Sequence, residues 1–577
     1  MRKLLKYLDN YKKECVLAPL FKMLEAVFEL TVPLVIAYMI DSGIGTHSSS
    51  VIIKSFCILV ALGAIGLIVS CTAQFFAAKA ATGFSKELRH DLFSHILSFG
   101  FKEIDSVGTS AMITRQTADV NILQNGVNMF LRLFLRSPFI VAGAVVMAFT
   151  IDAACATVFV LVVALLALVV TFIMKANIPR LKDAQKKLDD VLRLVRENLS
   201  GARVIRAFTL EDEQIKEFED TNDLLASFLV KAGRISGLLN PLTYVIINLA
   251  IVLLIFSGGA RVEAGQLSTG QVVALYNYMS QILLELIKFA NLIVTLNRTF
   301  ASASRVNEIF DVTPSMVTES SDEEAGNEDI AVEFNEVSLR YHELADEAVS
   351  GISFSVPAGG TFGIIGGTGS GKTSIANLIP RFYDATSGEV RLFGKNVRTM
   401  DPGKCREIVG TVMQKAVLFE GTIRDNLKWG NGDATDEQLL EAADAAVCRK
   451  VIEDKGGLDA KVEAGGRNFS GGQRQRISIA RVLAARPSVL ILDDSASALD
   501  YMTDRKLREN ISSLPYHPTV IIIAQRTISV SACDNILVLD DGEVAGLGTH
   551  DELLKSSPVY KEIYLSQYGD EPGKEAV

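Results

Sequence analysis

The chain runs to 577 residues, too many for one ordinary domain, and its net charge of −10 argues against nucleic acid as a partner. Its mean hydropathy of +0.29 is high for a fully soluble protein. Seven cysteines, at positions 15, 57, 71, 155, 405, 448 and 533, show neither disulfide nor metal-ligand spacing. Scattered thiols of this kind exclude a disulfide framework and fit a reducing, cytosolic side.

The N-terminus, Met1-Arg2-Lys3-Leu4-Leu5-Lys6, is basic, and the apolar run after it is far too long for a signal-peptide core. No cleaved leader is expected. Six segments, near 16–40, 55–78, 130–151, 153–174, 240–260 and 271–297, are predicted to cross the lipid bilayer as helices, each reaching the roughly 20 residues that a span needs. The run from Ala156 to Val170 is the clearest, with no charge in it. The connections near 41–54, 151–153 and 261–270 are short and poor in Lys and Arg. Those near 79–129 and 175–239 are long, helix-patterned and basic, with Lys86, Arg89, Arg115, Lys175, Arg180, Arg203 and Arg206 among them. By the positive-inside rule the N-terminus, both long loops and the C-terminal half are cytoplasmic, which makes residues 1–310 a multi-pass domain of the plasma membrane.

Charge inside a bilayer is costly, so Lys22, Glu25 and Glu29 in the first span, and Glu285 and Lys288 in the last, should face protein or a water-filled cavity. Structural pairing is the expectation for Glu285 and Lys288. For Glu25 and Glu29, one turn apart, a substrate pathway and structural pairing stand equally open.

A polar, acidic linker (311–330) precedes a stretch that reads as a soluble α/β domain (331–570), with a short tail after it (571–577). Within that domain, Gly366-Gly367-Thr368-Gly369-Ser370-Gly371-Lys372-Thr373 follows the apolar run Phe362–Ile365 and precedes the helix-like Ser374–Ile379. This is the phosphate-loop pattern in the strand–loop–helix context it requires. Its glycines allow the backbone to wrap an anion, Lys372 suits the β- and γ-phosphates of ATP, and the Thr373 hydroxyl suits Mg²⁺. Further on, Val489–Leu492 is a buried-strand run that ends in Asp493 and Asp494. The first acid suits Mg²⁺ and the second the attacking water. Between the two motifs, Phe469-Ser470-Gly471-Gly472-Gln473 opens a helix. A second anion-binding helix start is redundant in a monomer, and makes sense where two domains pair head to tail.

Taken together these motifs resemble the ABC superfamily, in particular exporter half-transporters with six membrane helices followed by one ATPase domain. The resemblance covers nearly the whole chain. It implies an α-helical six-span membrane domain with long cytoplasmic extensions, then an α/β P-loop ATPase domain with an antiparallel β subdomain and a helical subdomain. It further implies Tyr341 as the adenine-stacking aromatic, Gly366 to Ser374 as the ATP cradle and Gln414 as the Q-loop residue. Phe469 to Gln473 is then the signature, Ser497-Ala498-Leu499-Asp500 the D-loop, and Thr373, Gln414 and Asp493 the Mg²⁺ ligands. Two stretches, Ser110–Val120 and Glu197–Phe208, resemble the coupling elements, and the long loops are expected to end in short helices that dock on ATPase domains, one of them the partner's.

Two positions depart from the pattern. The catalytic Glu after Walker B is Asp494, and the switch His is Gln525. Because each composite site takes Walker A, Walker B and the switch from one chain and the signature from the other, these changes weaken this chain's own site and spare its partner's. The expectation is one half of a heterodimeric exporter of a small, lipophilic substrate. A slow homodimer that uses Asp494, and an ATP-gated channel or regulator, are the alternatives.

Overall fold

In hydrocarbon, every backbone N–H and C=O must find its partner within the chain, and long apolar segments do this as helices. The computed structural model describes residues 2–316, 328–342, 345–495 and 499–568. Most of the acidic linker, Ser497 and Ala498 of the D-loop, and the tail after 568 lie outside the described residues. The chain divides into two compact units, one made of Met1–Leu97 with Thr109–Val312 and the other of Ser98–Gly108 with Thr313–Val577.

The first unit is helical. It begins with α1 (Lys12–Tyr38) and α2 (Ser49–Leu97). The next helix in the chain, α3 (Phe101–Val107), belongs to the second unit. The first unit then resumes with α4 (Val120–Leu133), α5 (Arg136–Ile151), α6 (Ala153–Ser200), α7 (Ala202–Phe208), α8 (Glu211–Gly237), α9 (Leu239–Glu263) and α10 (Thr269–Asp311). Among the described residues, six helical passages are long and apolar enough to cross a membrane. Several outrun the predicted segments: α2, α6 and α10 hold 49, 48 and 43 residues. At about 1.5 Å per residue each exceeds the roughly 30 Å of hydrocarbon by a factor of about two. Helix starts are set by local chemistry. Asp152 caps α6 by accepting from the Cys155 N–H at 2.8 Å, and Ser268 and Gln271 cap α10 reciprocally. The helices approach closely where side chains are small: Ala26, Ala144, Ala148, Ala156 and Ala274 are buried beside Phe159, Leu254 and Tyr278. Glu285 is buried and paired with Lys288 at 2.8 Å, and Glu25 and Glu29 are paired as well.

The second unit contains two sheets. One is antiparallel, with order β2-β1-β4-β5, built from β1 (Ile330–Leu339), β2 (Val349–Pro357), β4 (Ser387–Leu392) and β5 (Lys395–Asn396). The other has order β12-β11-β3-β10-β9-β6, from β3 (Thr361–Gly366), β6 (Val409–Val412), β9 (Val489–Asp493), β10 (Thr519–Ile523), β11 (Asn535–Asp540) and β12 (Glu543–Gly548). All its pairings are parallel except β11 with β12. Its central strands are continuous apolar runs because both faces are covered. A short ladder of β7 (Gly421–Thr422) with β8 (Lys461–Val462) lies at the edge of a helical subdomain with its own core, which contains Leu427, Leu439, Ile452, Phe469 and Ile477.

The short helix α3 packs in this second unit. Phe101 stacks on Phe382 with ring centroids 4.5 Å apart, and the Tyr383 hydroxyl donates to Asp105. Ser110–Val120 is a stretch that resembles a coupling element in the sequence. That stretch belongs to the membrane unit, where Asp119 is tied to Arg305. Glycine sets the division: Gly108 takes φ 79°, a conformation other residues avoid, and separates α3 from the helix after it.

Candidate nucleotide site

Four neighbouring parallel strands, β3, β10, β9 and β6, deliver their C-terminal ends to one edge of the sheet. Open α/β sheets bind ligands at such an edge. Every altered or intact catalytic motif read from the sequence, apart from the signature, emerges there.

The phosphate loop leaves β3. At Gly366 a Cβ would fall 2.3 Å from the Leu539 carbonyl oxygen on β11, so the strands could not pair with any larger residue there. Gly369 and Gly371 turn the loop at φ 87° and 93°. Lys372 opens α11 (Lys372–Leu378) and folds back over the loop. Its Nζ donates to the Gly366 and Gly367 carbonyls at 2.9 and 2.5 Å and to Ser370 Oγ at 3.3 Å. Burial lowers the Lys372 pKa from its usual value, while Asp494 and Asp493 oppose that shift. Thr368 and Thr373 are exposed at the loop. Tyr341 stands beside this helix. Its hydroxyl lies 3.0 Å from Ser374 Oγ and its ring meets Tyr383 edge-on at 4.9 Å.

Asp493 ends β9 and is buried. Burial, followed by the neighbouring Asp494 carboxylate, pushes its pKa up to about 6, against the pull of Lys372. Two adjacent carboxylates facing a single ammonium are short of positive charge, and a divalent cation would supply it. Asp493, the Thr373 hydroxyl and the Gln414 carboxamide offer hard oxygen donors of the kind Mg²⁺ prefers.

Asp494 holds the left-handed conformation, with φ 44°, and its N–H donates to the Ile523 carbonyl of β10 at 2.9 Å. Its Oδ2 accepts from two carboxamides, Gln414 Nε2 at 3.2 Å and Gln525 Nε2 at 3.4 Å. Asp494, the Q-loop residue Gln414 and the switch residue Gln525 therefore do converge. They converge as an acceptor held by two donors, neither of which can take up a proton. Sequence reasoning missed Gln567 on α13 (Pro558–Tyr568). Its Nε2 donates to the Gln525 carbonyl at 2.8 Å, and its Oε1 accepts from the Thr527 N–H and hydroxyl at 2.9 Å each. No local motif marks it, because the contact spans 42 residues.

The signature belongs to the helical subdomain. Ser470 caps α12 (Gly471–Ala484) reciprocally with Gln473: Ser470 Oγ accepts from the Gln473 N–H at 3.3 Å, and Gln473 Oε1 accepts from the Ser470 N–H at 2.9 Å. Phe469 is buried in the subdomain core, with Lys455 Nζ 5.0 Å above its ring. Ser470 and Gly471 stay exposed at the positive end of a 14-residue helix, with Gly472 half-buried behind them. The described part of the D-loop ends in Asp500, which caps the next helix by accepting from the Thr503 N–H at 3.0 Å.

Two family models match this chain, "ABC transporter transmembrane region" over residues 15–286 and "ABC transporter" over residues 349–497. An uncharacterized ABC transporter ATP-binding protein, YfiB of Bacillus subtilis strain 168, is 34% identical over 99% of this chain and 99% of its own. The chain belongs to the ABC transporter family. It is a half-transporter of the exporter type: a multi-pass plasma-membrane domain followed by a cytoplasmic ATPase domain that binds and hydrolyses ATP to drive export. An ATP-dependent lipid A-core flippase of Desulfotalea psychrophila is 30% identical over 84% of each chain. A solved bacterial Atm1-family ABC exporter with ATP bound shares the fold, with a TM-score of 0.81 at 22% identity over 98% of this chain and 99% of the other.

Proposed function

We propose that this ABC chain is the ATP-retaining half of a heterodimeric exporter. The observation that carries the reading is the shared Oδ2 of Asp494, which accepts from both Gln414 and Gln525. Both glutamines hold the carboxylate through one oxygen, and neither can relay a proton from an attacking water. The Asp494 side chain is also one methylene shorter than Glu, which sets the oxygens back by about 1 Å or more, and a misplacement of that size costs about 10²-fold in rate. Gln525 can donate to a γ-phosphate but cannot become cationic. Binding is unaffected by these changes. Tyr341 stacks on adenine, Gly366 to Ser374 wrap the phosphates, and Thr373, Gln414 and Asp493 hold Mg²⁺. The ion, when bound, offsets negative charge on the β- and γ-phosphates.

The signature, Ser470 to Gln473, serves the site of a second ABC half-transporter that keeps Glu and His at the two altered positions. The short helix α7 buries none of its residues, and Val204 and Phe208 lie open on it, as a segment that docks on the partner's ATPase domain would. Two ATP molecules bring the ATPase domains together, docked helices carry the closure to the membrane spans, and hydrolysis at the partner's site resets the cycle. The cargo is a small, lipophilic molecule.

The double substitution D494E with Q525H tests the reading in the assembled transporter. After a round of turnover, the wild type retains ATP at this chain's site and the double variant retains ADP. A wild type that already retains only ADP there supports the slow homodimer instead.

A further inference from the structure

Membrane helices bring six ionisable side chains of this chain into one network: Lys22, Glu25 and Glu29 on α1, Arg136 on α5, and Glu285 and Lys288 on α10. Arg136 is the hub. Its Nη2 meets Glu29 Oε2 at 2.6 Å and Glu25 Oε1 at 3.8 Å, and its Nη1 meets Glu285 Oε1 at 2.7 Å. Glu285 also accepts from Ser137 Oγ and Lys288 Nζ, both at 2.8 Å. Lys22 Nζ meets Glu25 Oε2 at 2.5 Å and Ser70 Oγ of α2 at 3.1 Å.

Three cations balance three carboxylates, and pairing is what makes such charges tolerable in a membrane. A purely structural network would be closed on all sides, and this one is open at two ends. The side chains of Lys22, Arg136 and Glu285 are at most 7% exposed, whereas Glu29 is 39% and Lys288 45% exposed. An open carboxylate and an open ammonium are costly against hydrocarbon, which favours a polar interior on this side of α1 and α10. Gln281, one turn before Glu285, donates to the Glu29 carbonyl at 3.4 Å, and its own Oε1 is buried with no hydrogen-bond partner. The row therefore offers, in order, spare acceptors at Glu29 and Gln281, a neutralised centre at Arg136 and Glu285, and spare N–H donors at Lys288.

We propose that this row is a binding site for an amphiphile whose single headgroup carries an ammonium and a phosphate. The ammonium donates to Glu29 and Gln281, and the phosphate accepts from Lys288. The site lies at spanning depth, so the acyl chains remain in apolar surroundings. The proposal rests on the exporter reading only for the steps after binding, since the headgroup contacts need neither ATP nor the partner's signature.

The test is equilibrium binding of dioctanoyl phosphatidylethanolamine, phosphatidylcholine and phosphatidylglycerol to the detergent-solubilised, assembled transporter. The ethanolamine lipid is expected to bind tightest, because choline has no N–H for Glu29 and glycerol has no cation. Removing one charge-assisted hydrogen bond costs about tenfold. E29Q is accordingly expected to bring the ethanolamine-to-choline ratio towards parity, and K288M to weaken both lipids. Q281L, which leaves the ion pairs intact, is expected to lower the same ratio and stands in if E29Q fails to fold. The proposal is overturned if the folded variants keep the wild-type ratio, or if the wild type binds the glycerol lipid as tightly as the ethanolamine lipid. Parallel assays separate the two readings. Normal ATP-driven export with lipid binding indifferent to Glu29 overturns this site alone. Selective binding with no ATP-driven export supports the site and overturns the exporter cycle.

Discussion

The phosphate loop and the hydrolysis corner share one edge of one sheet, but their side chains are committed differently. In the loop, left-handed glycines and the folded-back Lys372 leave a cradle that fits an anion. In the corner, the group nearest to a general base, Asp494, is held by Gln414 and Gln525. The cradle is built on β3 and α11, and the corner on the ends of β6, β9 and β10.

Four experiments would break or sharpen that contrast. K372A should have the largest effect, an ATP affinity lower by about 10²-fold or more, because it removes the one ammonium in the cradle. Equilibrium nucleotide binding measures it, and near wild-type affinity would mean that the loop is not the binding element. S470R adds bulk at the exposed signature and should lower turnover of the assembled transporter by about 10²-fold, the scale of losing a stabilising donor. Unchanged turnover would remove the signature from catalysis.

A milder effect is expected from pH. Asp493 has its pKa raised to about 6 from an ordinary 3.8. A carboxyl raised in this way stabilises the empty fold when protonated, and that contribution is lost as pH rises through about 6. Mg²⁺-ATP needs the ionised form, so its affinity should climb about tenfold between pH 5 and pH 7, and a flat profile in titration calorimetry would rule out the cation role of Asp493. D494N should change turnover least, by less than about twofold, since an amide keeps an acceptor for both glutamines. A larger fall would show that Asp494 works as a base.

Most of the nucleotide site was legible in sequence because its chemistry is local. Gly366 to Thr373, Asp493 and Asp494, and Ser470 to Gln473 are each contiguous, and their neighbours reveal strand or helix. The membrane spans were legible in number for a similar reason, since hydropathy is a local sum. Their ends were not: α2 and α6 continue as helices past the apolar run, where hydropathy carries no stop signal. The helix α3 was not legible because its marker is tertiary, the stacking of Phe101 on Phe382. Gln567 and Arg136 were missed for the same cause. Arg136 lies within a predicted span, and its charge should have been weighed with those of Glu29 and Glu285, whose partner it is.

The most direct test of the split-site account is the composition of the native complex. A tagged copy of this chain, extracted gently from its own membranes, should carry a second half-transporter at a 1:1 ratio, with Glu after Walker B and His at the switch. Two identical copies of this chain would contradict the account, because Asp494 and Gln525 would then have to support all of the hydrolysis.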